Sequence, residues 1–370
     1  MGYARLNRDL LNIKKLSERN NRINIEHDHV SVNQRPDNLS DSDIRLIQKG
    51  AERIRTARKN SKPVMLTFGA HTIKNGLAPV LIQLMREGWV THLATNGAGI
   101  IHDWEFAYLG ESSENVRENI ARGEFGIWEE TGSYINLAII TGAFEGLGYG
   151  ESVGKMISRE GLDIPEQSFL KASATSLIEK DNEKAAAAID LLAVIQKYCL
   201  KPGFMSIPHP YKKYSAQAFS WENSIPFTGH PMIGQDIIYT HPINSGAAIG
   251  RTAISDFLCF AESVSRLDGG VYLSLGSAVM SPMIFEKSLS MSQNIEIQKK
   301  RHIDNHFILV VDLAESSWNW HKDGEPPADN PAYYLRYCKT FHRMGGEMHY
   351  LTADNSDFLL QLYKELTSAR

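Results

Sequence analysis

The residues best suited to chemistry lie in the stretch Trp89 to Glu111, WVTHLATNGAGIIHDWEFAYLGE. Val90 to Thr95 has the composition of a short buried strand. It runs into Asn96-Gly97-Ala98-Gly99, where small side chains let backbone approach a ligand and present free N–H groups. Ile100 to Leu109 then reads as a helix carrying His102, Asp103 and Glu105 beside three aromatics. Imidazole and carboxylate are the groups that most often move protons near neutrality. A strand, a small-residue turn and a polar helix start is how open α/β sheets build ligand sites, although an ordinary tight turn has the same composition.

Three further junctions share this character. Gly69 to Gly76 carries His71 and Lys74, and Gly276-Ser277-Ala278 follows another apolar run. Thr240 to Gly250 holds His241 and then Asn244, Ser245 and Gly246, small polar residues that open a helix and can offer N–H groups to an anion, with Arg251 as charge partner. Two later runs end at Asp312 and near Asp354, where acidic residues commonly bind ribose hydroxyls. Lys339 follows Tyr333, Tyr334 and Tyr337. Desolvated among aromatics it becomes an amine nucleophile for imine chemistry; on the wet face of an amphipathic helix it is a surface lysine.

These groups need a sheet to bring them together. Strands are expected at Val64–Phe68, Val90–Thr95, Asp236–Thr240, Val271–Leu275, Phe307–Leu313 and Met348–Thr352, with helices between them. Residues 1–39 read as a polar arm, with a helix at Leu6–Leu16, that packs on something else such as a neighbouring subunit. Residues 40–370 read as one doubly wound, Rossmann-like α/β domain with a mostly parallel sheet and a helical insertion at 112–235. The stretch 201–235 is loop-like, rich in Pro, Gly and aromatics, and reads as a lid.

A hydrophobic content of 42% with 22% charged residues describes a globular chain with a sizeable core. A net charge of −4 provides no long-range attraction to nucleic acid or acidic membranes. No apolar run reaches the roughly 18 residues of a membrane span. Three scattered cysteines make neither a disulfide framework nor a zinc motif. A cytoplasmic protein without a resident metal is expected. Gly146 to Gly150, followed by Gly154-Lys155, misses the spacing of a phosphate loop, and His302 and His306 lack a third ligand at helical spacing.

Taken together, the run Met65 to Gly69 through Leu109-Gly110-Glu111, the turn Asn96 to Gly99 and the spacing from Lys339 to Tyr350 and Ala353-Asp354 resemble deoxyhypusine synthase. The resemblance implies an NAD-binding Rossmann-like fold, assembled as a homo-oligomer, usually a tetramer. NAD would fall on Thr72, Asn96, Gly97, Ala98, Gly99, Asp312 and Asp354, and the imine on Lys339. Members of that family move an aminobutyl group from spermidine to a protein lysine. Here Ile101 and His102 replace an acidic pair, and Arg251 follows the small-residue loop, so a neutral or anionic small molecule is expected in place of a polyamine.

The expected function is an NAD-dependent oxidation or transfer at a C–N or C–O bond, with Lys339, His102, Asp103 and His241 as catalytic groups. One alternative is a non-redox enzyme that holds a phosphorylated sugar or nucleotide on Asn244, Ser245, Gly246 and Arg251. The others are authentic deoxyhypusine synthesis and a ligand sensor closed by the 201–235 loop.

Overall fold

Val64–Phe68 and Val271–Leu275 are buried at every position, so both must be central strands covered on two faces. The computed structural model describes residues 2–368. Along the chain run β1 (Asn21–Asn24), α1 (Ile25–Asp28), α2 (Asp41–Lys59), β2 (Val64–Phe68), α3 (Ala70–Lys74), α4 (Ala78–Arg86), β3 (His92–Asn96), α5 (Gly97–Leu109) and β4 (Glu111–Glu114). The middle of the chain adds α6 (Val116–Arg122), α7 (Glu129–Glu145), α8 (Tyr149–Arg159), β5 (Gly161–Ile164), α9 (Gln167–Leu177), α10 (Asn182–Lys197), β6 (Gly203–Ser206), α11 (Ala216–Glu222) and β7 (Phe227–His230). The remainder is α12 (Gly246–Ser265), β8 (Val271–Leu275), α13 (Met280–Gln298), β9 (Phe307–Asp312), α14 (Trp320–Asp323), α15 (Arg336–Arg343), β10 (Glu347–Thr352) and α16 (Asn355–Thr367).

Six parallel strands form the main sheet in the order β10-β9-β8-β2-β3-β7. Counted along the chain this is 3-2-1-4-5-6, the order of doubly wound dinucleotide-binding folds, with the switch point between β2 and β8. The fold is a Rossmann-like α/β fold, as expected. Alternation along the strands separates two cores. Met65 packs with Phe260, Tyr272 and Phe285 on one face, while Leu66 and Phe68 join the larger cluster on the other. Among the described residues no helix is long and apolar enough to cross a membrane.

Several expectations fail for physical reasons. Asp236–Thr240 is not a strand; Ile237–Tyr239 is a 3-10 turn. The edge strand of that half is instead β7, inside the stretch read as a loop, which also holds α11. β7 conceals itself because Pro226 and Pro231 flank it and its buried positions carry Thr228 and His230. Those two side chains form a hydroxyl–imidazole chain with His92: Thr228 Oγ1 lies 3.0 Å from His92 Nε2 and 2.9 Å from His230 Nε2. Leu6–Leu16 is no α-helix, holding a 3-10 turn at Arg8–Leu10 before extended chain. The arm itself docks on its own chain, through β1 paired antiparallel with β4 and the buried side chains of Leu16 and Arg19.

At the switch point the turns after β2 and β8 touch backbone to backbone. A Cβ on Gly69 would sit 2.2 Å from the carbonyl oxygen of Gly276. Gly69→Ala is therefore expected to lower stability by about 1–3 kcal/mol, as overpacking against an unyielding neighbour does. Urea unfolding of the variant measures it.

Candidate functional site

α5 is buried almost all round, by Ile100, Ile101, Trp104, Phe106 and Ala107 among others, as befits a helix sandwiched inside the protein. Asn96 caps it, its Oδ1 accepting from the Gly99 N–H at 3.0 Å, and Gly110 ends it at φ 78°. The two inner glycines of the turn answer to packing. A Cβ on Gly97 would lie 2.2 Å from Asp236 Oδ2, and one on Gly99 would lie 2.2 Å from Thr95 Oγ1.

His102 and Glu105, three positions apart on α5, share the side that faces β4. Glu105 is 1% exposed and accepts four hydrogen bonds. Arg19 reaches both oxygens, at 2.7 and 2.8 Å, Thr131 Oγ1 donates to Oε1 at 3.0 Å, and Ser112 Oγ donates to Oε2 at 2.6 Å. Burial alone would raise the Glu105 pKa; the Arg19 charge and hydrogen bonds reverse this and hold it below the usual carboxylate range. Ser112 has one proton and gives it to Glu105. Its oxygen therefore accepts from His102 Nδ1 at 2.7 Å. That assigns the imidazole proton to Nδ1 and leaves the Nε2 lone pair for the cavity that His102 lines. Burial, helped by the charges of Lys74, Arg19 and His71 and opposed by Glu105, pushes the His102 pKa down to about 4, so the ring is neutral at pH 7.

The cavity has a volume of about 210 Å³ and lies beyond the C-terminal end of β3. Its apolar wall includes Ala98, Ile101 and Phe125. Lys74 lines it and has no hydrogen bond or ion pair among the described residues. Asp236 Oδ2 is buried there without a partner, and burial raises the Asp236 carboxyl to about 6 against one backbone N–H, from Met232. Glu114, also in the wall, is engaged by Asn119 Nδ2, the Gly126 N–H and Trp128 Nε1, which pins the 123–128 loop over the cavity. A free ammonium, an orphan carboxylate oxygen and an oriented imidazole in an apolar cavity are the features of a small-molecule site. The sequence signalled His102 and Lys74. It also placed Glu105 on the same helix as His102, but held no local signal for Asp236, Ser112 or Arg19, which come from separate segments.

The other sequence-stated residues fall elsewhere. Asp103 is 1% exposed and anchors the start of α11, accepting from Ser215 Oγ, the Ala216 and Gln217 N–H groups and Gln217 Nε2, and it does not line the His102 cavity. His241 lies against α7, its Nδ1 accepting from the Ile243 N–H at 3.2 Å and its Nε2 3.5 Å from Glu129, outside the set of residues that lines the His102 cavity. Asn244 is bound by Asn136 and Arg8, Ser245 caps α12, Gly246 is that helix's first residue, and Arg251 pairs with Asp190 at 2.6 Å. No strand of the main sheet leads into α12 directly, so this loop is not a sheet junction and its arginine is already neutralised.

Of the nucleotide set, Ala98 lines the cavity. Thr72 is fully buried and its hydroxyl accepts from Asn355 Nδ2 at 3.1 Å. Asp312 accepts from the Ala314 N–H, and Asp354 caps α16. Lys339 is half-buried with Nζ 3.5 Å from the centroid of the Tyr333 ring. It belongs to α15 and not to the His102 cavity, so it holds a cation–π contact where an imine nucleophile was expected. His321, Glu347 and His349 cluster within 4.8 Å, but Lys49 and Arg53 already neutralise Glu347.

No protein-family model matches the chain, and none of the curated proteins does. Solved structures match it distantly. Unliganded AgrE is 16% identical over 90% of this chain and 34% of its own, with a TM-score of 0.45. ArgZ, an arginine dihydrolase from the ornithine–ammonia cycle in cyanobacteria, is 16% identical over 88% and 33%, with a TM-score of 0.41. A conserved LOR/SDH protein from Methanococcus maripaludis S2 is 12% identical over 90% and 70%, with a TM-score of 0.42. The chain thus spans about a third of the length of AgrE and ArgZ. None of these three is a deoxyhypusine synthase, which corrects the resemblance read from the sequence.

Removing one member of the buried ion pair leaves an uncompensated charge. Arg19→Met alone or Glu105→Leu alone is expected to cost about 3–5 kcal/mol, and the double replacement Arg19→Met with Glu105→Leu to recover most of that loss. Urea denaturation of the two single variants and the double variant tests the cycle.

Proposed function

We propose that the chain is an NAD-dependent enzyme that oxidises a C–O or C–N bond of a small anionic substrate, with His102 as the general base. The observation that carries this reading is the Glu105–Ser112–His102 relay, which presents a neutral imidazole lone pair to a cavity beyond a parallel-strand terminus. A base oriented by a second group that is itself anchored is the recurrent geometry of proton abstraction. Lys74 would take the anionic end of the substrate, and ionised Asp236 would accept a hydrogen bond from its second polar group. A cavity of about 210 Å³ excludes a whole dinucleotide.

The 3-2-1-4-5-6 strand order supports NAD, which would lie along the crevice at the switch point. There the small residues Gly69-Ala70 and Gly276-Ser277-Ala278 let a pyrophosphate approach backbone. α3 runs from that crevice to Lys74 at the cavity, so the two sites adjoin. When bound, NAD supplies the hydride acceptor; His102 removes the proton from the substrate O–H or N–H, and the Nδ1–H bond to Ser112 steadies the imidazolium that results. The phosphate-cradle alternative has lost its residues, since Arg251 and Asn244 are both engaged away from the sheet.

NAD at about 100 times its dissociation constant is expected to add roughly 2.7 kcal/mol of apparent stability. His102→Ala keeps this shift and loses turnover of short 2-hydroxy or 2-amino acids about 10²–10⁴-fold, followed as NADH absorbance. The base works above its own pKa and Asp236 must be ionised, so the rate falls as pH drops below about 6. In Asp236→Asn the acid limb moves down towards about 4, where His102 gains its proton. No stabilisation by NAD, or full turnover in His102→Ala, overturns the reading.

A further inference from the structure

A second cavity, of about 250 Å³, lies at the beginning of β7 between α8, α11 and α12. Its wall includes Glu151, Gln217, Trp221, Phe227, Asp256 and Cys259, and no lysine, arginine or histidine lines it. Asp256 is 1% exposed. Its Oδ2 accepts from the N–H groups of Gly150 at 2.8 Å and Gly229 at 2.6 Å, and among the described residues no cation pairs with it. Burial pushes this carboxyl up to about 8 despite those donors. A buried carboxylate ordinarily has a cationic partner, because desolvation costs more than neutral donors return.

A second observation points the same way. Gln217 is 1% exposed, and its Nε2 donates to Ile100 O and Asp103 Oδ2. Its Oε1 is left buried without a partner on the cavity wall. A buried amide oxygen without a donor costs stability until a donor arrives. Glu151, at the exposed side, adds a second carboxylate, whose Oε2 also accepts from the Gly148 N–H at 2.9 Å. The wall also carries Ser220, Ser224 and Thr228, and its apolar part is formed by Trp221 and Phe227 beside Ile225 and Pro226.

We propose that this cavity binds a small organic ammonium ion of the alkylammonium kind. The ammonium would donate to Gln217 Oε1 with Glu151 as its charged partner, Asp256 releasing its proton to solvent as the cation arrives, while its alkyl part covers Trp221 and Phe227. The volume and the apolar half favour this occupant over a bare metal ion, which needs a tight shell of oxygen ligands. The site shares no lining residue with the His102 cavity, so the two readings stand or fall separately.

Thermal unfolding of the full chain is followed with n-butylammonium chloride, with n-butanol in potassium chloride, and with potassium chloride alone, at one ionic strength. A saturable rise in Tm with butylammonium only is expected. It disappears in Cys259→Lys, which places an ammonium in the mouth from an exposed position, weakens about tenfold in Glu151→Gln, and survives in His102→Ala. An equal rise with butanol or with potassium, or a full butylammonium response in both Cys259→Lys and Glu151→Gln, overturns the proposal.

Discussion

The candidate site depends on the buried ion pair of Arg19 and Glu105. In a low-dielectric interior the attraction is strong, but each ion has given up its hydration, and only a complete set of partners makes the arrangement tolerable. Glu105 has that set: each oxygen takes one Arg19 nitrogen and one hydroxyl, from Thr131 or Ser112. The Ser112 proton is thereby committed, and the tautomer of His102 follows from it. A choice that imidazole in water leaves open is made three hydrogen bonds away, by a guanidinium from the arm.

Around this anchor the site reverses the usual order in which its groups titrate. Burial takes His102 down to about 4 and Asp236 up to about 6. Between those values the carboxyl is the protonated partner and the imidazole the basic one, the opposite of the two side chains in water. Sites whose groups are pushed apart in this way can give distinct acid and base duties to neighbours at one pH. Lys74 keeps the cavity from becoming a purely acidic pocket and supports the depression of His102.

Much of the sheet was legible, because β2, β8 and β9 are continuous apolar runs buried on both faces, and such runs announce themselves without neighbours. β7 was not, since a four-residue edge strand with a threonine, a glycine and a histidine between prolines has no apolar signature; its burial is satisfied by hydroxyl–imidazole bonds to His92. Of the site, the turn Asn96 to Gly99 and His102 were legible as chemistry on a helix after a strand. Packing adds a reason for the glycines that their own segment does not show. Gly97 makes room for Asp236, and Gly99 for Thr95. Asp103, adjacent in sequence to His102, points to the other side of α5 and ties down α11; neighbours on a helix do not share a face. Lys339 illustrates the same limit, for its tyrosines are real but make a cation–π contact, and nothing in its own segment tells which.

The position of Arg19 also bears on when the protein becomes itself. Arg19 and Glu105 are 86 positions apart, and β2 and β3 both lie within the loop their pairing closes. The entropy of closing a loop rises with its length and must be met before the contact returns anything. A chain emerging from the ribosome therefore carries the arm first and leaves its guanidinium in water until α5 and β4 exist to receive it. His102 is oriented only at that moment. The orientation of the His102 ring is in this sense a late event of biosynthesis, and it reports that the segment carrying Arg19 has found its place.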